Sequence, residues 1–373
     1  MMGFRPRGAP NPNQGQNRMH HRIESLRSAL REAGHDAYFS LSPPANAYLA
    51  GFFGTTSALI VTEFEAHFLC DFRYREQAAE QVSGLEVHEV TGALETRVGE
   101  RLQALGVQRP AFDSAATTVY QAETVQSAFG GALQPEPTLL AGLRQIKDAT
   151  EIAKLRAASA LKEGVLADLL PELKEGITEA AFAARLEFEM KCRGASGPSF
   201  SPIVLFGSRS SLPHGTPGQK PLEPGDIVLI DFGCIRDGYC SDLTRTYAFG
   251  TIPGAWFEEI YSVTLTAQLA ALEAVRPGAA CRDVDAVARD IIRDAGFGEH
   301  FGHGLGHGVG LEIHEAPRLN QQSNAVLQPG MAVTVEPGIY LPGRGGVRIE
   351  DLVVVTETGY ERLTLSPKTL KVV

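Results

Sequence analysis

Four acidic residues in the second half of the chain end or follow apolar runs, and they do so in a frame that repeats. Pro224-Gly225 leads into Ile227-Val228-Leu229-Ile230 and then Asp231, while Pro329-Gly330 leads into Met331-Ala332-Val333-Thr334-Val335 and then Glu336. In both, the carboxylate lies seven positions after the proline. Each run reads as a buried strand launched by a turn, and a carboxylate ending such a strand is costly unless something positive meets it. A second acidic position follows each: Asp242 beyond the hairpin signal Asp237-Gly238, and Glu350 beyond the Gly-rich reversal at 342–346. Folding at Asp237-Gly238 sets Thr244 opposite Asp231 with Asp242 one pleat away, so both aspartates point to one face. A solvated strand end would explain any one of these acids. Four converging without a counter-ion would repel one another and shift their pKa values sharply, which points to a metal site.

Between the two halves, residues 300–315 carry glycine at nearly every second position and include His303, His307 and His314. Such backbone permits close approach and unusual dihedrals. Imidazole suits first-row transition metals and carboxylates suit harder cations such as Mn²⁺. Four carboxylates with one imidazole therefore argue for two divalent ions sharing oxygens. Two-metal hydrolases hold their ions about 3.5–4 Å apart and activate a water between them.

In that order, Asp231, Asp242, His307, Glu336 and Glu350 resemble the metal pentad of the pita-bread metallopeptidases, the family of methionine aminopeptidase, aminopeptidase P, prolidase and the metal-free relative creatinase. The likeness runs through Asp231-Phe232-Gly233, Asp242-Leu243-Thr244-Arg245-Thr246, His303-Gly304-Leu305-Gly306-His307-Gly308, Val335-Glu336-Pro337-Gly338 and Val347-Arg348-Ile349-Glu350-Asp351. No position of the pentad is substituted, which disfavours a non-catalytic peptide-binding relative. The resemblance implies that Asp231 chelates one metal, that Asp242 and Glu350 bridge both, and that His307 and Glu336 hold the other. It implies Glu336 as general base, His214 as the histidine contacting the scissile amide, and His314 as the donor that meets the developing oxyanion. Arg348 would position a ligand carboxylate. Two divalent ions are expected, Mn²⁺ first, with Co²⁺, Zn²⁺ or Fe²⁺ as alternatives.

The likeness also covers the first half. Pro44-Ala45-Asn46-Ala47-Tyr48-Leu49-Ala50-Gly51-Phe52 and Cys70-Asp71-Phe72-Arg73-Tyr74 are similar to the amino-terminal domain of prolidases and aminopeptidases P, which methionine aminopeptidases lack. The implied substrates are short peptides with proline second, cut before the proline. A tertiary amide lacks the N–H that ordinary peptidases can use. A dipeptidase must also bind a free carboxylate after the proline, for which arginine is the natural clamp. Arg318 stands where some prolidases carry such an arginine, and His303 would serve the same end of the substrate or support the glycine loop. The expectation is an Xaa-Pro dipeptidase, with aminopeptidase P as the alternative.

These residues need a frame. The expected architecture is mixed α/β: a tail over 1–18, a creatinase/prolidase-like domain over 19–143, and a pita-bread catalytic domain over 144–373. By resemblance, the catalytic domain has a curved antiparallel sheet, helices outside it and pseudo-two-fold duplication. A helix is expected over 23–33, with strands at 58–61 and 67–70. Asp148 and Glu151 form a capping pair for a long helix, Thr178 caps the next, and further helices span about 256–275 and 282–296. The tail is rich in Pro, Asn, Gln and Gly, is expected to be disordered and lacks the apolar stretch of a signal peptide; Met19 is a candidate start.

At 373 residues and 43% apolar content the chain can bury two domains. The net charge of −10, with no basic stripe, argues against a nucleic-acid partner. No apolar run approaches the ~18 residues of a membrane span. The five cysteines are scattered without paired metal spacing and read as reduced core residues of a cytoplasmic protein. The family's amino-terminal domains imply a homodimer.

Overall fold

Strand-forming runs bounded by turns and amphipathic stretches bounded by caps give a mixed α/β chain. The computed structural model describes residues 12–373. It divides into one unit ending at Arg144 and another beginning at Gln145.

The first unit runs α1 (Pro12–Ala33), β1 (Ala37–Ser40), α2 (Pro43–Ala50), β2 (Ser57–Thr62), β3 (Ala66–Cys70), α3 (Arg75–Gln81), β4 (Glu86–Glu89), α4 (Leu94–Ala104), β5 (Pro110–Phe112), α5 (Val119–Phe129), β6 (Gln134–Pro135) and α6 (Leu139–Gln145). Its strands form one mixed sheet in the order β4-β3-β2-β1-β5-β6. Phe39, Ile60 and Leu69 of the sheet pack with Val98, Leu102 and Val125 of α4 and α5. The first helix corrects an expectation. It begins at Pro12 rather than Ile23, so residues 12–18 of the expected tail are helical, while residues 1–11 lie outside the described residues.

In the second unit, α7 (Ala149–Leu169) starts from a complete capping box: Asp148 accepts from the backbone N–H groups of Thr150 and Glu151, and Glu151 accepts from Asp148 N. Thr178 caps α8 (Glu179–Cys192). Next come β7 (Gly197–Pro198), β8 (Ile203–Phe206), β9 (Ile227–Asp231), β10 (Cys234–Arg236), β11 (Tyr239–Cys240) and β12 (Thr244–Ala248). Then follow α9 (Ala255–Ala274), α10 (Cys281–Asp294), β13 (Gly306–Gly308), β14 (Glu315–Leu319), β15 (Ala332–Val335), β16 (Gly338–Leu341), β17 (Gly345–Arg348), β18 (Asp351–Val355) and β19 (Tyr360–Arg362).

The echo in sequence is an echo in structure. Asp237 (φ 50°) and Gly238 (φ 81°) take the two left-handed positions of the β10–β11 turn, and β12 returns beside β9 with Thr244 opposite Asp231. In the second half, β16 and β17 form a hairpin from Gly338↔Arg348 to Leu341↔Gly345, and β15 pairs with β18, setting Val335 opposite Asp351. The ladders between strands β8 to β19 are antiparallel. One apolar cluster packs α9 and α10 on the second half, through Phe257, Ile260, Val284 and Ile292 against Val333, Val335 and Val353. Another packs α7 and α8 on the first, through Val165 and Phe182 against Val228 and Ile230.

The cysteines are free, and Cys70, Cys234, Cys240 and Cys281 are buried. Cys192 is exposed at the end of α8, which corrects its reading as a core residue: the helix ends there and its last turn meets solvent. Among the described residues, no helix is long and apolar enough to cross a membrane.

Candidate metal centre

Asp231 is the last residue of β9, and Asp242 lies two residues before β12; the ladder between these strands turns both toward Glu350, which immediately precedes β18. One oxygen from each of Asp231, Asp242 and Glu350 falls within a sphere of mutual separation under 4.8 Å, and all three residues are buried. His307, at the middle of β13, brings Nε2 to 3.3 Å from Glu336 Oε1 and 3.6 Å from Asp242 Oδ2. The five side chains form two overlapping groups, with Asp242 in both.

Glycine makes the histidine's position possible. A Cβ on Gly306 would stand 2.0 Å from the carbonyl oxygen of Thr334, so only glycine lets β13 lie this close to β15. The Thr334 hydroxyl then accepts from His307 N at 3.0 Å and donates to Glu336 Oε1 at 3.0 Å.

The electrostatics are those of a site short of positive charge. Burial, then the neighbouring carboxylates, push Asp242 and Glu350 well above the usual carboxylate range. Burial also raises Asp231, against the nearby Arg348 guanidinium. Glu336 differs: burial opposes its charge, yet the hydrogen bond and charge of His307 bring it down to about 2. Asp231 Oδ1 and Glu350 Oε1 are buried with no hydrogen-bond partner. Orphaned carboxyl oxygens facing a shared space, with a buried imidazole beside them, are a donor set that fits divalent cations.

A cavity of about 570 Å³ opens onto this cluster. His214, in the turn before β9, and His314, before β14, are exposed and line it. The His314 ring stands edge-on to His307 with centroids 4.4 Å apart; partial burial, then the charges of His307 and Arg318, lower its pKa to about 4. Arg318 is exposed on the cavity wall, opposite His307 in the β13–β14 register. Phe200, Pro202 and Ile203 supply apolar wall.

Arg348 and His303 lie in one buried relay. Arg348 donates to Asp231 Oδ2, to Thr244 Oγ1 (3.1 Å) and to the Tyr340 hydroxyl (2.8 Å). His303 Nε2 lies 3.0 Å from the same hydroxyl, and its Nδ1 lies 2.8 Å from the Gly304 carbonyl. Sequence reading missed Tyr340, though it alternates in phase along the strand after Glu336. Lys162 was missed too: it is fully buried on α7 and its Nζ donates to the Asp242 carbonyl. Its signal was a lysine at i, i+4, i+7 spacing with Ala158 and Val165.

The comparisons follow the same division of the chain. Residues 22–146 match the creatinase/prolidase N-terminal domain, and residues 153–357 match metallopeptidase family M24. The chain belongs to metallopeptidase family M24. It is thus a metallopeptidase with a creatinase-like N-terminal domain, of a family whose chemistry depends on divalent metal. This M24 chain is 40% identical over 350 residues to a Bacillus subtilis protein named uncharacterized peptidase YqhT, covering 94% of this chain and 99% of that one. Among solved structures, an Xaa-Pro dipeptidase from Bacillus anthracis is 42% identical with a TM-score of 0.92, over 95% of this chain and 100% of that one. An X-Pro aminopeptidase from Thermotoga maritima is 35% identical with a TM-score of 0.86, over 93% and 100%.

Proposed function

We propose that this M24 metallopeptidase is an Xaa-Pro dipeptidase that hydrolyses the bond before proline. The observation that carries the reading is the convergence of Asp231, Asp242, His307, Glu336 and Glu350 at a cavity that also presents His214, His314 and Arg318. Likeness to the Bacillus anthracis dipeptidase supports it. Asp231, Asp242 and Glu350 would hold one divalent ion, and His307 with Glu336 and the shared carboxylates the other. When bound, such ions polarise the scissile carbonyl and lower the pKa of water.

The chain's own residues do the rest. Glu336 takes a proton from the attacking water and can return it to the departing proline nitrogen. His314, neutral at physiological pH, donates one ring N–H to the developing oxyanion. His214, which lines the same cavity, orients the scissile amide. Phe200, Pro202 and Ile203 offer apolar surface for a pyrrolidine ring, and Arg318 pairs with the free carboxylate of the dipeptide. Arg348, through Asp231, holds a ligand carboxylate in place, and His303 supports Arg348 through Tyr340 and bears on the same end of the substrate. The reading takes Mn²⁺ as the ion and the chain as a cytoplasmic homodimer, to be checked by metal analysis and sedimentation.

Stripped, Mn²⁺-reloaded protein should cleave Ala-Pro and leave Ala-Pro-Ala and Ala-Ala-Ala largely intact. A second reading, Xaa-Pro aminopeptidase, is favoured by the likeness to the Thermotoga maritima enzyme and would show as preference for Ala-Pro-Ala. Inactivity on all three peptides would refute both.

A further inference from the structure

A second cluster of metal-binding side chains lies on the sheet of the first unit, and the peptidase chemistry does not use it. His67 on β3 is in register with Glu86 on β4, and Leu69 with His88. Residues two apart on a strand share a face, so Glu86 and His88 stand side by side next to His67. His67 Nδ1 is 3.1 Å from His88 Nε2 and 3.3 Å from Glu86 Oε2, and His88 Nε2 is 3.5 Å from Glu86 Oε1. A tetrahedral site with metal–ligand distances of about 2.0–2.1 Å has ligand-to-ligand edges of about 3.3–3.4 Å. The His67–His88 and His67–Glu86 separations lie near that edge, and one ligand atom from each of the three residues lies within 4.8 Å of the others.

The tautomer also favours a cation. His67 Nε2 lies 3.0 Å from Glu65 Oε2, and an ionised carboxylate only accepts. Nε2 therefore donates to Glu65, and in the neutral ring Nδ1 presents a lone pair toward His88 and Glu86. A carboxylate behind a histidine is how ligating imidazoles are commonly oriented. The ring is 1% exposed, so it has little freedom to turn its lone pair to water. Burial, followed by the charge of Arg101, lowers the His88 pKa, which keeps its ring neutral and available.

A positive group already stands at this spot. Arg101 on α4 brings a terminal guanidinium nitrogen to 3.3 Å from His67 Nδ1, 3.5 Å from His88 Nε2 and 3.9 Å from Glu86 Oε2. Its Nε has no hydrogen-bond partner, and its side chain is 33% exposed, so it has a path to solvent.

We propose that His67, His88 and Glu86 form a binding site for a divalent ion of the Zn²⁺ class, with water at the fourth position and Arg101 as the competing cation. The site would clip β3 to β4 and is separate in the chain from the peptidase centre.

The test counts metal on the full chain. Stripped protein is titrated with Zn²⁺, and with Co²⁺ for its tetrahedral absorption, and bound metal per chain is read by mass spectrometry. His88→Ala and the exposed-side variant Glu86→Gln should each lose one equivalent and part of the Co²⁺ band, with unchanged circular dichroism. Arg101→Gln should tighten Zn²⁺ binding at this site. Equal metal content in wild type and both ligand variants would overturn the site, and unchanged Zn²⁺ affinity in Arg101→Gln would overturn the role given to the arginine. Neither readout depends on peptidase activity.

Discussion

Thr244 and Glu350 meet twice: the threonine hydroxyl donates to Glu350 Oε2 at 2.7 Å, and Glu350 N donates to the Thr244 carbonyl at 3.2 Å. Thr244 also faces Asp231 across the β9–β12 ladder. One residue thus ties the acidic pair of the first half to an acid of the second. Thr244→Val keeps the shape and removes the hydroxyl, leaving buried Glu350 short of a donor. It should destabilise the metal-free protein by about 1–3 kcal/mol and weaken metal binding. Urea unfolding with and without Mn²⁺ would measure both, and an unchanged midpoint in each would show that the bond is dispensable.

Glu350→Ala should abolish hydrolysis and reduce bound metal while far-UV circular dichroism stays unchanged. Retention of full metal content and activity would refute its role as a metal ligand. Glu336→Gln, which removes the proton acceptor, should lower kcat by about 10²–10⁴-fold with a smaller effect on KM.

Arg318→Ala tests the proposed clamp. A lost charge-assisted hydrogen bond should cut kcat/KM on Ala-Pro by about 10- to 100-fold, with much less effect on Ala-Pro-Ala. Equal losses on both peptides would count against a terminal-carboxylate contact.

Two buried acids should make the metal-free protein lose stability as pH rises. Burial holds the folded-state pKa values of Asp242 and Glu350 above their unfolded values, so the native state binds more protons than the unfolded chain. Stability is then greatest below the unfolded pKa and is lost as pH climbs through the folded values. The depressed pKa of His314 acts the opposite way, so as pH rises above the unfolded carboxylate range the Tm of EDTA-treated wild type should fall relative to that of the Asp242→Asn, Glu350→Gln double variant. The stabilisation by added Mn²⁺ should grow over the same range, because the ion binds the ionised native site. Asp242→Asn with Glu350→Gln should flatten the metal-free profile. A Tm gap between stripped wild type and the double variant that stays constant with pH would contradict the raised pKa values of the two acids.

Much of this was legible because it is local. The turn at Asp237-Gly238 forces the Thr244–Asp231 register, since positive φ at two adjacent positions leaves few ways to close a hairpin. The Asp148–Glu151 box needs only three residues of spacing to start α7. The start of α1 was misread because Pro, Asn, Gln and Gly argue against helix by propensity, and propensity is a weak prior against context. Lys162 and Tyr340 were passed over because a lone lysine on a helix or tyrosine on a strand has no chemistry until its neighbours are known.

The sequence by itself determined the repeated strand-and-acid frame, the glycine spacing around His307 and the order of the five polar residues, because each depends on backbone preferences over a few positions. Only the tertiary structure decided that Asp242 joins two groups of donors, that Arg348 links Asp231 to Tyr340 and His303, and that Lys162 lies behind Asp242. It also decided that His67, Glu86 and His88 face one another with Arg101 beside them. Such meetings join strands and helices far apart in the chain, and side-chain packing, not local spacing, sets which charged groups share a buried space.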